Sequence, residues 1–152
     1  PAESYQLTID SAALYDIYGK CNDSTGFAIK LKSLDEYSSL LVKMTHFDAR
    51  ARIQLLNEKD IAIRELPATE TGALFTHLTP TTYYLRLYID WDGDKKWTTG
   101  DWSTQRQPEP VYYFPSKLKL RANWDFEENF DHLATPRVDS KPKALIGKQQ
   151  KK

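Results

Sequence analysis

The chain of 152 residues has a single cysteine, only six glycines and no long hydrophobic run. Cys21 alone forms no internal disulfide and has no metal-binding spacing, which excludes a disulfide framework and a zinc ribbon. Without an apolar run of about 18 residues, no membrane-spanning helix is predicted. The sequence also lacks a glycine-rich phosphate loop and a recognisable Ser-His-Asp set, and its three histidines lie far apart. We therefore expect a protein that is not an enzyme.

Charge is balanced over the whole chain, at 21 basic and 21 acidic residues, but it is unevenly distributed. From residue 136 onward six basic residues face one acidic residue, and apolar residues are few, so we expect a flexible basic tail over 132–152. This tail lacks interleaved aromatic residues and the rest of the chain is acidic, which argues against nucleic-acid binding. The acidic residues between 125 and 131 would serve a hydrolase only within a cleft. Neighbouring surface acids are more commonly just solvated.

Apolar residues recur at every second position, which is the period of half-buried β-strands. The alternation is found at residues 5–9, 27–31, 40–44, 53–55, 61–63, 83–89 and 118–126. Turn residues separate these runs, and the polar residues 57–60 predict a hairpin. Seven or more short strands without a long helix predict an all-β fold, an antiparallel β-sandwich of immunoglobulin-like or transthyretin (prealbumin)-like type. The last run predicts that Trp124 lies in the core beside Leu118 and Leu120.

The loop after the run 83–89 carries carboxylates at positions 1, 3, 5 and 12, as calcium-binding loops do. The predicted ligands are oxygens of five residues: the side chains of Asp90, Asp92, Asp94 and Asp101, and the backbone carbonyl of Lys96. Lys95 stands where such loops need glycine, so we expect calcium affinity no better than about 10⁻⁴–10⁻³ M. The alternative is a hairpin loop whose aspartates accept backbone N–H groups. In either case no cofactor is required for folding.

Four aromatic residues accompany this loop: Trp91, Trp97, Trp102 and Tyr112. Exposed aromatic rings stack on sugar rings or anchor protein interfaces, and we consider all four as ligand-binding candidates. The alternative is that the indoles pack on the hairpin and close the end of the core. Coplanar, exposed indoles would favour a carbohydrate-binding module, whereas buried indoles would favour a scaffold.

Two segments resemble bacterial envelope proteins. Residues 5–23, YQLTIDSAALYDIYGKCND, and the strand after them are similar to the last hairpin of bacterial Ig-like domains of the S-layer-protein type. Residues 72–124 contain GxxFxxLxP, YLRLYID, DGDxxWxxGD, QPE, YY and NW. This second segment resembles the C-terminal region of Ig-like-domain lipoproteins from the Bacteroidetes cell envelope. The resemblance implies an Ig-like fold and an extracytoplasmic location, outer-membrane-associated or at the cell surface. It implies no activity.

These observations divide the chain into three parts. Residues 1–33 are expected to be strands like the end of an Ig-like domain that pair into the main sandwich, residues 34–131 the sandwich domain, and 132–152 the tail. The start at Pro1 indicates a mature fragment, which we expect to be monomeric. The expected function is that of a non-catalytic structural or interaction module of a larger envelope protein, with an envelope protein or a glycan as partner. The alternative is a carbohydrate-binding module that uses the four aromatic residues.

Overall fold

The computed structural model describes residues 4–146, which fall into a smaller unit that ends at Glu36 and a larger unit that begins at Tyr37. Within these residues the regular structure consists of ten β-strands and three short 3₁₀ helices. None of the helices in this part of the chain is long and apolar enough to cross a membrane.

The smaller unit is a β-hairpin made of β1 (Ser4–Ile9) and β2 (Thr25–Lys30), followed by a 3₁₀ helix at Leu34–Glu36. The two strands pair antiparallel and form a two-stranded sheet of their own. The pairing of residues 1–33 into the main sandwich stays a prediction. Because Tyr5 pairs with Ile29 and Leu7 with Phe27, the apolar residues share one face of the hairpin. All four remain about half exposed.

The long loop of this hairpin is closed by hydrogen bonds from short polar side chains. One carboxylate oxygen of Asp16 accepts the backbone N–H groups of Tyr18, at 2.8 Å, and Lys20, at 2.9 Å. Gly19 adopts a positive φ of 80°, which glycine does without steric cost. The Asp-x-x-Gly pattern in the sequence is therefore a turn signal with a local physical cause.

The larger unit contains two sheets. Its strands are β3 (Ser38–Met44), β4 (Ala51–Leu56), β5 (Ala62–Pro67), β6 (Ala73–Leu78), β7 (Thr82–Ile89), β8 (Val111–Tyr113), β9 (Leu118–Lys119) and β10 (Asp125–Phe130). The first sheet has the order β10-β3-β6, in which β10 is parallel to β3. The second has the order β5-β4-β7-β8, with β9 also paired to β7. All strand pairs of the second sheet are antiparallel.

The core lies between the inner faces of these sheets, and it follows directly from the period-two alternation. It includes the predicted inward residues of β3, β4 and β7: Leu40, Val42, Ile53, Leu55, Tyr83, Leu85, Leu87 and Ile89. Phe75 of β6 and Phe130 of β10 complete it and are almost fully buried. The predicted all-β sandwich is confirmed, and so is the β4–β5 hairpin around residues 57–60.

The run 118–126, predicted as one continuous strand, is two strands in different sheets. Leu118 and Lys119 pair with β7, whereas β10 pairs with β3 in the other sheet. Between them Asn123 adopts a positive φ of 57°, and this turn carries the chain across. The turn breaks the alternation, so Trp124 is 56% exposed and the prediction that it is a core residue is wrong.

Residues 132–146, the described part of the predicted flexible tail, pack against the rest of the larger unit. Pro136 and Pro142 each precede a 3₁₀ helix, at Arg137–Asp139 and Lys143–Leu145. The second helix places Leu145, only 1% exposed, in a small apolar cluster with Leu56 and Tyr84 on the outer face of the five-stranded sheet. The rest of the predicted tail, 147–152, lies outside the described residues.

Candidate functional site

The loop 90–109 follows β7 and is shaped first by Asp90, which is buried although it is an acid. Its two carboxylate oxygens accept the backbone N–H groups of Gly93, at 2.7 Å, and Lys95, at 3.0 Å. Gly93 and Lys95 both have positive φ values, of 75° and 63°. The hydrogen bonds to Asp90 therefore hold a turn that is strained at Lys95, the position where the sequence lacks the glycine of calcium-binding loops.

Glu109 fixes the other end of the same loop. This buried carboxylate accepts the backbone N–H of Trp91, at 2.7 Å, and that of Thr98, at 3.0 Å. The backbone N–H of Glu109 is in turn donated to the carbonyl oxygen of Thr98, at 3.2 Å. Glu109 was not predicted as a site residue. The sequence signal that could have found it is an acidic residue between two prolines, Pro108 and Pro110, at the end of a polar loop.

The predicted calcium ligands are only partly brought together. Oxygens of Asp90, Asp92 and the unpredicted Glu109 lie within 4.8 Å of one another. Asp94 instead accepts the N–H of Lys96, at 2.7 Å, within an exposed turn. Carboxylate oxygens are the ligands that hard cations prefer, but those of Asp90 and Glu109 already accept backbone N–H groups. The geometry of the loop therefore matches turn formation by its carboxylates.

Asp101 and Asp92 each make further contacts within the loop. Asp101 accepts the side-chain hydroxyls of Ser103, at 2.7 Å, and Thr104, at 2.9 Å, and these hydrogen bonds lower its pKa. Asp92 forms an exposed ion pair with Arg106, at 3.3 Å. Asp101 and Arg106 also pair through their backbones, so that a tight turn projects between them.

The three indoles of the loop are exposed to different degrees. Trp102 stands in the projecting turn and is 97% exposed, and Trp91 is 51% exposed. Trp97 is 47% exposed, and its indole N–H is donated to the carbonyl oxygen of Glu109, at 3.0 Å. None of the three is buried in the way that core closure would require. Among the three, and within the part of the chain that the structure describes, only Trp97 has a ring orientation fixed by a hydrogen bond of its indole.

Tyr112 does not belong with the indoles. It pairs with Leu87 on the inner face of the five-stranded sheet and packs against the core. Its ring contacts that of His132 edge-on, with centroids 5.0 Å apart. Tyr112 therefore lies apart from the three indoles, because the alternation within β8 turns it inward and turns Val111 and Tyr113 outward.

His132 is enclosed between Tyr112 and His46, whose ring centroid lies 6.3 Å away. Its Nδ1 atom is buried and has no hydrogen-bond partner in residues 4–146. Burial, and after it the neighbouring His46, lowers the pKa of His132, and Asp131 and Asp48 oppose this shift. A carboxylate oxygen of Asp131 lies 3.9 Å from the Nε2 atom of His46.

A pocket of about 300 Å³ lies beside Trp97 on the outer face of the five-stranded sheet. Its described lining residues are Gln54 of β4, Arg86 and Tyr88 of β7, Trp97 of the loop, and Val111 and Tyr113 of β8. These strand residues share one face because they alternate with the core residues. The period of two in β7 places these residues opposite the core residues, but it carries no information that the loop folds back over that face.

The floor of the pocket is joined to a hydrogen-bond network around Glu65. Glu65 accepts hydrogen bonds from Gln54, at 2.6 Å, from Tyr88, at 3.0 Å, and from Arg52. Burial acts to raise the pKa of Glu65, but these three hydrogen bonds outweigh it and the pKa is lowered. Burial and the negative Glu65 together raise the pKa of Tyr88 far above its usual value. Glu65 is therefore a fixed anion and Tyr88 a neutral donor.

A second part of the network ties the C-terminal segment to the pocket. The Tyr113 hydroxyl lies 3.2 Å from Asp60, and the Lys141 ammonium group lies 2.7 Å from the same carboxylate. The guanidinium of Arg86 is 3.8 Å from Asp60 and 3.3 Å from the Tyr113 hydroxyl. The face of the sheet thus has aromatic, cationic and hydrogen-bonding groups at fixed positions, which is the composition of a ligand-binding surface.

The acidic residues of β10 are engaged in surface contacts. Asp125 accepts a hydrogen bond from the hydroxyl of Ser39, and Glu127 pairs with Lys43 at 2.6 Å. Both contacts join β10 to β3, and both acids are exposed. They support the parallel strand pair and form no part of the pocket beside Trp97.

Comparison of the chain with protein-family models, curated proteins and solved structures finds no match.

Proposed function

We propose that this chain is a non-catalytic interaction module of a larger bacterial cell-envelope protein, located outside the cytoplasm at the outer membrane or cell surface. The observation that carries the proposal is the loop 90–109, which two buried carboxylates hold in place while three indoles stay exposed. Large aromatic residues on a fixed support are favourable contact points, because little freedom is lost when a partner binds them. The envelope setting is supported by the resemblance of residues 5–23 and 72–124 to envelope lipoproteins.

Trp102 is the centre of this proposed contact surface. A tryptophan side chain carries a large apolar area, and burying such a side chain releases it from water. Because Trp102 is 97% exposed, folding gains almost no free energy from burial of its side chain. Its burial by a partner would supply favourable free energy that folding leaves unused. Trp91, at 51% exposure, offers a second contact of the same kind.

Carbohydrate binding is the second candidate, and the pocket beside Trp97 is the observation that favours it. The indole of Trp97 is half exposed, is held by its N–H bond to the carbonyl oxygen of Glu109, and lines the pocket. Gln54 and Arg86 offer hydrogen-bonding groups at the same pocket. An aromatic wall with planar polar side chains suits a ring that has an apolar face and hydroxyl groups at its edge.

The proposal is tested by co-sedimentation of the purified chain with washed outer-membrane fragments of a Bacteroidetes bacterium. We expect Trp91→Ala combined with Trp102→Ala to lower binding by roughly tenfold or more, as loss of a hot-spot aromatic does. Val138→Ala is the matched control, because Val138 is also apolar and is 93% exposed but lies outside the loop. It should bind as the unchanged chain does.

Two results would contradict the interaction surface. In one, the unchanged chain does not sediment with the fragments. In the other, Val138→Ala weakens binding as much as the double replacement. Loss of binding on Trp97→Ala alone, with competition by soluble glycans, would instead make carbohydrate binding the primary function.

A further inference from the structure

The pocket beside Trp97 combines an apolar wall with a single charge. Three of its described lining side chains are aromatic and one is aliphatic, and Arg86 is the only charged residue among them. Gln54 is the remaining polar group. Pockets of this kind bind a ring-shaped ligand through contact area and select it through a few polar groups.

The charges around the pocket do not cancel. Arg52 is paired with Glu65. Arg86 and Lys141 share one carboxylate, that of Asp60, at 3.8 and 2.7 Å. Since Asp60 compensates one of these two cations, this described network keeps one positive charge more than its carboxylates neutralise. Arg86, which lines the pocket, is the cation farther from Asp60 and is therefore the one placed to pair with a ligand.

Both groups that would contact a ligand are held before it arrives. The Nε atom of Arg86 donates to the side-chain oxygen of Gln54, at 2.7 Å, and Nη1 donates to the Tyr113 hydroxyl, at 3.3 Å. The indole of Trp97 is held by its bond to the Glu109 carbonyl, at 3.0 Å. A site whose side chains are already ordered loses less conformational entropy on binding.

We propose that this pocket binds a sugar ring that carries a carboxylate, as a uronic acid unit of a polysaccharide does. The ring packs against Trp97, and the carboxylate accepts charge-assisted hydrogen bonds from Arg86. The volume of about 300 Å³ is at the small end of ligand pockets, which suits a single ring. This inference rests on the carbohydrate-binding candidate above and adds to it the class of sugar.

The test is a titration of the full chain with the methyl glycosides of glucuronic and galacturonic acid, in which calorimetry measures the heat of binding. Those of glucose and galactose, which have a hydroxymethyl group in place of the carboxylate, are the matched neutral ligands. We expect the acids to bind roughly tenfold more tightly, and added salt to reduce this preference. Arg86→Gln should abolish the preference, and Arg86→Lys should restore part of it. Trp97→Ala should weaken all four ligands, while Trp102→Ala, outside the pocket, should change none.

The outcomes separate the two levels of the argument. Equal binding of acidic and neutral sugars overturns the inference about the carboxylate and leaves carbohydrate binding in place. Binding of none of the four overturns both, while the envelope interaction through Trp102 is tested separately by sedimentation. If the preference persists in Arg86→Gln, or if Trp102→Ala removes binding instead of Trp97→Ala, the pocket is the wrong site. The salt dependence is measured on the unchanged chain. It therefore still tests whether the carboxylate of the sugar pairs with a cation of the protein if an Arg86 variant fails to fold.

Discussion

Replacing Leu145 with alanine tests whether the C-terminal segment is part of the fold. Leu145 is 1% exposed and packs against Leu56 and Tyr84 on the outer face of the five-stranded sheet. Removing a buried leucine side chain generally costs about 2–5 kcal/mol, the sum of lost burial and the cavity that remains. This cluster is small and lies near the surface, where neighbours relax more easily, so we expect about 2–3 kcal/mol. Ile146→Ala is the matched control, because Ile146 is 62% exposed, and its cost should stay within about 0.5 kcal/mol.

The assay is urea unfolding followed by tryptophan fluorescence. All four tryptophans, at positions 91, 97, 102 and 124, belong to the larger unit, so the signal reports that unit alone. A loss of 2–3 kcal/mol corresponds to a fall in melting temperature of roughly 8–12 °C for a domain of this size. If Leu145→Ala and Ile146→Ala cost the same within about 0.5 kcal/mol, the packing of the C-terminal segment does not stabilise the larger unit.

Three further predictions concern the carboxylates of the loop and the enclosed histidine. Glu109→Gln places an N–H donor against one of two buried backbone donors, and it should lower the free energy of unfolding in urea by about 1–3 kcal/mol. The exposed Asp94→Asn should lower it by under about 0.5 kcal/mol, and equal costs would contradict the role of Glu109 in holding the two ends of the loop together. Asp92→Ala should cost the same in millimolar calcium as in chelator, and a melting shift confined to calcium would show that the loop binds the cation. The pKa of His132 is lowered in the folded state, so the unfolded chain takes up the proton at a higher pH than the folded chain does. Stability should therefore fall as pH drops through 6.5, the ordinary pKa of histidine. His132→Gln should flatten melting temperature against pH in this window, and an unchanged slope would assign it to other groups.

The sandwich could be predicted from the sequence because apolar residues alternate with polar or amphipathic ones along its central strands. In β4 and β7 each inward apolar residue, such as Leu55 or Leu87, alternates with an outward one, and the register places both on the inner face. The polar and amphipathic side chains of the outward face give the alternation that the sequence displays, although Gln54, Tyr84 and Tyr88 of that face are buried. The same reasoning failed at Trp124, because alternation carries no information about a turn that changes sheets. The single local signal there was Asn123, a residue that tolerates the left-handed conformation.

The pocket could be predicted only in part, since it depends on contacts between distant parts of the chain. Trp97 was a candidate from its place beside a tight loop, and the period of two along β7 places Arg86 opposite the core residues. Tyr88 has the sequence pattern of a wet face but is fully buried, because other parts of the chain cover it. The hydrogen bond between the Glu109 carboxylate and the backbone N–H of Trp91 joins residues 18 positions apart and depends on the fold of the loop. The spacing rules for calcium sites therefore could not identify Glu109. Local patterns specify which face a residue occupies, but not what covers it.

The parallel pairing of β10 with β3 has a consequence for the order in which this protein folds. Ser39 of β3 meets Asp125 of β10 across 86 residues of chain. During synthesis from the N-terminal end, β3 has only β6 as a sheet neighbour among the described strands until residues 125–130 emerge. Its open edge is then free to pair with another chain, while the unit lacks Phe130 from its core. Folding of the larger unit should therefore be slow and late, and newly made chains should depend on chaperones that keep this edge covered until β10 arrives.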